Sequence, residues 1–523
     1  MSNTRIASSE SKIELGKTIS SRDPENPKCS KRIGILMFHG MGQQVPFETL
    51  DCIAKSLRQE ARLRGDVVRS QTARLIDIDG AMAPRVELLI DRTAGSAQEP
   101  DQMEVHLYES YWAPITEGKV TLRDVLLFLL EAGINGTRRA LSGRFVRWMF
   151  GGTGDFRVQP SSFLYLLVMT FAIASLFTIY FALFVLGAAR VGHFVFQDLE
   201  MGRIGATGTL LHYFFASLLS AGVLIAVLSF LGKPFASQTF RRVLFWLMNS
   251  IAVLEGIITL FFAISIIQTA LSQCDTSLIE FLGASIGIGR TGVEQTFGSI
   301  TSRSWVSALL FWSFGLVSLL VIRYFTIQFV GDVAAYVSAH KDSKFNDIRI
   351  AIQKKGIDSA SLLFGVKDPT GNPYYTDVLF VGHSLGSVIA YDTLNAMVNR
   401  DEAAGRSMKV VDRMSGLMTF GSPLNKTAFI FSNFLKSAEY REALAEAVQP
   451  LITSSSYRPK RWINIWSMAD WVSGKLTYYD DPAVPPPASN VENIIDKQAY
   501  VPGKAHTEYW SHTEVPKQLY DLL

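Results

Sequence analysis

The stretch Val378-Leu379-Phe380-Val381-Gly382-His383-Ser384-Leu385-Gly386, continued by Ser387 to Met397 (SVIAYDTLNAM), decides how this chain is read. Val378 to Val381 is a short unbroken apolar run, the signature of a buried strand. The segment after Gly386 has the composition and length of a helix. Between them stands G-x-S-x-G, the pattern of a nucleophile elbow. The bare pattern is weak and its context gives it weight. A strand that turns abruptly into a helix forces the central serine into a strained backbone conformation. Glycines at Gly382 and Gly386 let the helix pack close, so that the Ser384 hydroxyl stands clear. The start of the helix favours negative charge beside that hydroxyl. The competing reading is a serine in an unrelated glycine-rich turn.

Outward from the elbow, strand and helix signals alternate. Ile33 to Phe38 (IGILMF) reads as a buried strand that runs into Phe38-His39-Gly40-Met41-Gly42. Phe47 to Arg64 has helical periodicity with a polar face, and Val86 to Ile90 and Val105 to Tyr108 read as strands. Further strands are expected at Asp377 to Val381, Gly416 to Phe420 and Arg461 to Trp466, with helices between them. The class is α/β. Phe420-Gly421-Ser422-Pro423-Leu424 reads as a structural turn near the elbow. Val484 to Pro487 reads as a loop.

The chain has 523 residues, 48% of them apolar and 19% charged, with a mean hydropathy of +0.20. These values lean toward a membrane protein with a sizeable soluble part. A net charge of +3 without basic runs interleaved with aromatics gives no support to nucleic-acid binding. Cys29, Cys52 and Cys274 are odd in number and lack metal-ligand spacing. They read as free thiols in a reducing compartment, with neither disulfide framework nor metal site. Residues 1–30 are polar and contain no apolar core of a signal peptide, and they read as a disordered lead-in.

Four long segments with few or no charges, about 161–189, 206–232, 243–271 and 305–330, are expected to be membrane-spanning helices. Cations cluster before the first, between the second and third, and after the fourth. The expectation is an integral multi-pass protein with both chain ends and the catalytic part in the cytoplasm. Ser277 to Ile288 reads as a re-entrant or surface piece. Arg138 to Phe150 (RRALSGRFVRWMF) reads as a helix in a headgroup layer or as an ordinary basic surface helix. Glu255, with Asn249 and His212 as polar companions, is either a functional intramembrane acid or a hydrogen-bonded packing residue. The organisation expected is therefore a lead-in at 1–30, the first part of an α/β domain at 31–157, a transmembrane region at 158–331, and the second part of the α/β domain at 332–523.

Two motifs carry a resemblance. Gly382-His383-Ser384-Leu385-Gly386 and Phe38-His39-Gly40-Met41-Gly42 together resemble the α/β-hydrolase superfamily, and within it the lipases and esterases. The resemblance covers mainly residues 31–50 and 375–515, and it implies a mostly parallel sheet flanked by helices, here split by a four-helix transmembrane insertion. It implies oxyanion donors at the N–H groups of Leu385 and Met41, with Gly42 as the other candidate in the His39-Gly40 turn. The family order of serine, acid and histidine points to Asp470 in the loop after Arg461–Trp466, with Asp480, Asp481 and Asp496 as competitors. For the base it points to His506, after Pro502-Gly503, ahead of His512. His383 faces away from its neighbour's hydroxyl. One departure is that Gly40 and Gly382 lie far further apart than in the family.

The resemblance implies cleavage of a carboxylic ester of a lipid or lipophilic substrate by a Ser384–His506–Asp470 triad and an acyl-enzyme, at a bilayer surface, with no metal or organic cofactor. Two other readings stay open. One is a transport or signalling membrane protein with a non-catalytic hydrolase-like part, and the other is an acyl-protein thioesterase.

Overall fold

The computed structural model describes residues 13–15, 29–42, 45–78, 81–92, 101–121, 144–150, 152–157, 331–337, 343–431, 447–481, 491–501 and 504–523, with scattered positions in 123–134 and 224–257. One compact unit comprises Met1–Asp124, Arg144–Arg157 and Gln328–Leu523. A second comprises Val125–Gly143 and Val158–Ile327, and of it only scattered helical positions are described.

The first unit is built on a nine-stranded sheet in the order β1-β3-β4-β5-β2-β8-β9-β10-β11. Its strands are β1 Ile13–Leu15, β2 Cys29–Phe38, β3 Val67–Ile78, β4 Ala81–Arg92, β5 Asp101–Glu109, β8 Asp377–His383, β9 Met414–Phe420, β10 Arg461–Trp466 and β11 Glu492–Ile495. The β3–β4–β5 meander pairs antiparallel. Every other neighbouring pair is parallel. A strand covered on both faces reads as a continuous apolar run rather than an alternating one, and Ile33–Phe38 and Val378–Val381 are such runs. Their apolar side chains are fully buried.

The longer helices are α1 Glu48–Leu63, α2 Gly331–Val337, α3 Ser343–Gly365, α4 Leu385–Ala403, α5 Leu424–Phe431 and α6 Glu514–Asp521. Helix α1 buries Leu50, Ile53, Ala54, Leu57 and Ala61, one stripe at helical spacing, against alternate residues of the sheet such as Ile33, Ile35, Val105 and Leu107. Helix α6 joins that core through Val515 and Leu519. The other face of the sheet presents Phe38 and Phe380, whose rings lie 5.4 Å apart. There a β-carbon on Gly34 would touch Leu363 of α3.

Register brings the two sequence motifs together. Phe38 pairs with Gly382 across β2 and β8, so the turn after one strand emerges beside the turn after the other. His383 pairs with Phe420, Phe420 with Ile465, and Trp466 with Ile495. The carboxyl ends of five parallel strands therefore form one rim, the place where open α/β sheets gather ligand-binding loops.

Three expectations are corrected. Among the described residues no helix is long and apolar enough to cross a membrane, so the fold class loses its four-helix transmembrane insertion and the multi-pass, cytoplasm-facing placement falls with it. The two described helices that are long enough carry too many charges to lie in a hydrocarbon core. Helix α3 carries Lys344, Asp347, Arg349, Lys354, Lys355 and Asp358, and α4 carries Asp392, Arg400, Asp401 and Glu402. Apart from scattered positions, the segments read as spans lie outside the described residues, as do Glu255, Asn249, His212 and Ser277 to Ile288. Arg144 to Phe150 is not helical. Arg144–Met149 (β6) pairs antiparallel with Gly152–Arg157 (β7), and the hairpin closes beyond the Met149–Gly152 pair with Phe150 at φ 52°. Between the meander strands, β3 is a long strand that had no apolar run to announce it.

The chain ends are tied across the sequence. The Tyr520 hydroxyl of α6 donates to the Asp66 carboxylate at 2.7 Å in a buried setting. Tyr520→Phe should lower the unfolding free energy by about 1–3 kcal/mol, because it removes a buried hydrogen bond to a charged acceptor. Equilibrium urea unfolding checks this, and an unchanged midpoint would show that the tie contributes nothing.

Candidate active site

Ser384 stands between β8 and α4 at φ 53° and ψ −128°, a conformation L-residues avoid. The strain is held by close packing. A β-carbon on Gly386 would overlap the carbonyl oxygens of Phe38 and His39, and one on Gly382 would overlap the backbone of Ser387. The Ser384 N–H donates to the Phe420 carbonyl at 3.0 Å, which ties the turn to β9.

The structure brings Ser384, His506 and Asp470 into one line. The Ser384 hydroxyl donates to His506 Nε2 at 2.8 Å. His506 Nδ1 donates to Asp470 Oδ2 at 2.9 Å and lies 3.1 Å from Oδ1. Asp470 is buried and further accepts from the Val472 N–H at 2.8 Å and the Tyr509 hydroxyl at 2.9 Å. Burial alone would raise its carboxyl group. The His506 hydrogen bond and charge, then Lys426, then the Val472 N–H overcome that and hold it well below the usual carboxylate range. Tyr509 is pushed far up, chiefly by burial and then by the Asp470 charge, so it stays a donor.

The other candidates fall elsewhere. His512 bonds to Asp496 at 2.7 Å and stands just before α6, not inside a helix. Asp496 also accepts from the Gln498 N–H at 2.8 Å. Asp480 and Asp481 act electrostatically on the buried Arg458. His383 donates from Nε2 to the His506 carbonyl at 2.9 Å and stacks on Phe420 at 4.9 Å. Burial, with the neighbouring His506 adding to it, lowers its imidazole to about 3, so it is a neutral strut beneath the His506 loop.

In the turn after β2, a β-carbon on Gly40 would lie 3.2 Å from the Ser384 Cβ, so the turn abuts the serine. His39 shapes that turn. Its Nδ1 donates to the Gly40 carbonyl at 2.8 Å, its Nε2 accepts from the Trp112 N–H at 3.1 Å, and its ring stacks on Trp112 at 4.6 Å. The Gly42 N–H donates to Asp332 of α2 at 2.8 Å. Gly42 therefore has its amide occupied, and Met41 is left as the donor candidate of this turn. Leu385 is the first residue of α4, where an N–H has no partner within the helix. Tyr509, Lys426 and Asp332 were not found from sequence. Tyr509 belongs to the aromatic pair after His506, whereas Lys426 and Asp332 sit in segments without any motif.

Comparison with known proteins adds nothing to this geometry: no protein-family model matches the chain, and neither a curated protein nor a solved structure matches it.

Burial lowers the His39 imidazole from 6.5 to about 4. Below its unfolded value only the unfolded chain takes up the proton, so stability is complete above pH 6.5 and is lost as pH falls toward 4. The stability margin of wild type over His39→Gln should shrink by roughly 2 kcal/mol between about pH 7 and pH 5. Urea unfolding at the two pH values measures it, and a constant margin would refute the assignment.

Proposed function

We propose that this chain is a serine hydrolase of the α/β-hydrolase kind that cleaves carboxylic esters of lipophilic acyl substrates. The observation that carries the proposal is the unbroken relay from Ser384 Oγ through both ring nitrogens of His506 to Asp470. A carboxylate bound at Nδ1 fixes the tautomer that leaves Nε2 free to accept the serine proton. The strained elbow and the glycine turn against it fit the same chemistry. The likeness of the two motifs to those of lipases and esterases favours an acyl ester with apolar chains.

The steps follow from these roles. Ser384 Oγ attacks the ester carbonyl carbon as its proton passes to His506 Nε2, and Asp470 offsets the imidazolium charge. The carbonyl oxygen becomes an oxyanion held by the Leu385 and Met41 N–H groups. Collapse breaks the bond to the leaving alcohol, which takes the proton from His506. Water then gives its proton to the same nitrogen and attacks the acyl-enzyme, and as the Oγ–acyl bond breaks to release the carboxylic acid, His506 returns that proton to Ser384 Oγ.

A fluorophosphonate probe tests this directly. Wild-type protein should be labelled at Ser384, as located by peptide mass spectrometry, and Ser384→Ala should not be labelled. Asp470→Asn should reduce ester turnover by about three to four orders of magnitude. Folded wild type that resists the probe would instead favour a hydrolase-like part that only binds. Matched oxygen esters and thioesters compared in the same assay identify the leaving group.

A further inference from the structure

Asp470 stands in the loop that follows β10, and that loop has no strand ladder of its own. Its backbone is held in part by Asn464 and Asn493 of the sheet and in part by one short helix. From α5, the Lys426 ammonium donates to the Trp471 carbonyl and, at 3.0 Å, to the Ser473 carbonyl. Its neighbour Asn425 donates to the Lys475 carbonyl at 2.6 Å and accepts from the Tyr478 N–H at 3.1 Å. Helix α5 thus holds residues 471–478 through Lys426 and Asn425, and the two contacts nearest to Asp470 come from a single cation.

The ammonium is enclosed although the residue as a whole is partly exposed. Enclosing a lysine away from water disfavours its charge, and burial lowers it to about 8 in spite of the opposing pull of Asp470. The Asp470 charge acts on it, while His506 and Tyr509 reach the same carboxylate from the C-terminal segment. Nothing in the relay itself requires a lysine here. A neutral side chain such as Asn425 suffices to hold carbonyls and amides, so the cation has a further effect, on the buried carboxylate beside it.

We infer that Lys426 is a positioning residue of this hydrolase, which pins the Asp470 loop through two carbonyls and holds a positive charge near the buried Asp470 carboxylate. The inference rests on the proposed function and concerns the same site. Lys426 touches neither the substrate nor the reacting atoms; it acts through Asp470.

The test uses the full chain, a soluble acyl ester and the rate of fluorophosphonate labelling at Ser384, each followed from neutral to alkaline pH. Lys426→Met should lower kcat and the labelling rate by about tenfold to a hundredfold with KM little changed. Lys426→Arg should recover most of that loss. Wild type should lose kcat as pH rises through about 8, where the ammonium gives up its proton. Lys426→Arg should not show that fall, because a guanidinium keeps its charge there. Lys426→Met with wild-type kcat, Lys426→Arg no better than Lys426→Met, or Lys426→Arg with the wild-type alkaline fall would each overturn the inference. Should Lys426→Met fail to fold, the pH comparison of wild type with Lys426→Arg decides alone. Wild type that is not labelled at Ser384 overturns the hydrolase reading and this inference with it, whereas labelled wild type matched by equally fast Lys426→Met overturns this inference only.

Discussion

Backbone hydrogen bonds between β2 and β8 join two parts of the chain that are far apart in sequence, and the site exists only where that ladder ends. The Phe38–Gly382 pair sets the level at which both strands turn. From it follow the contact of Gly40 with Ser384 and the seating of Gly386 beneath the Phe38 and His39 carbonyls. A slip of one residue would turn every side chain of β2 to the opposite face. The apolar fill on both faces, Ile33 and Ile35 on one and Leu36 and Phe38 on the other, fixes the register against such a slip. A long insertion between the paired strands is tolerated because the entropy of closing a loop grows only slowly with its length.

Charge at the rim is arranged around the buried Asp470 carboxylate. Asp470 accepts from His506 and Tyr509 near the C-terminus and from Val472 in its own loop, and the Lys426 charge on α5 acts on it as well. A carboxylate in that setting stays anionic and immobile, which is what an imidazole partner needs in order to present one fixed tautomer. The two other histidines at the rim, His39 and His383, are kept neutral by burial and serve as struts. Three imidazoles thus lie close together with different roles, set by their burial and by what their nitrogens touch.

The sequence made the Ser384–His506–Asp470 line legible because its members sit at features that local chemistry marks: a glycine-flanked serine after an apolar strand, an acid just past Trp466, a histidine after Pro502-Gly503. Strands with continuous apolar runs, such as Ile33–Phe38 and Val378–Val381, were legible for the same reason. What escaped was whatever depends on partners remote in sequence. Val67–Ile78 has neither a continuous apolar run nor a regular alternation, and it is a strand through its antiparallel pairing with β4. The Arg144 hairpin looked like a basic helix because arginines spaced by apolar residues suit either geometry, and the Gly152 strand across from it decides. Asp332 and Lys426 have no motif, since each matters only through the turn or loop it reaches. Hydropathy, which counts composition without partners, led to membrane spans that no described helix supports.

The pairing of β2 with β8 also has a consequence for biosynthesis. Ile33–Phe38 leaves the ribosome long before Asp377–His383 has been translated. At about 5–20 residues per second, the delay is roughly twenty seconds to a minute. Throughout that interval the nascent β2 can pair with β5 on one side, while its other side stays an open hydrogen-bonding edge beside an apolar surface. Such an edge is a template for unwanted pairing between chains. The same split that places the glycine turn against Ser384 thus leaves one edge of the newborn sheet uncovered until the second half of the chain arrives.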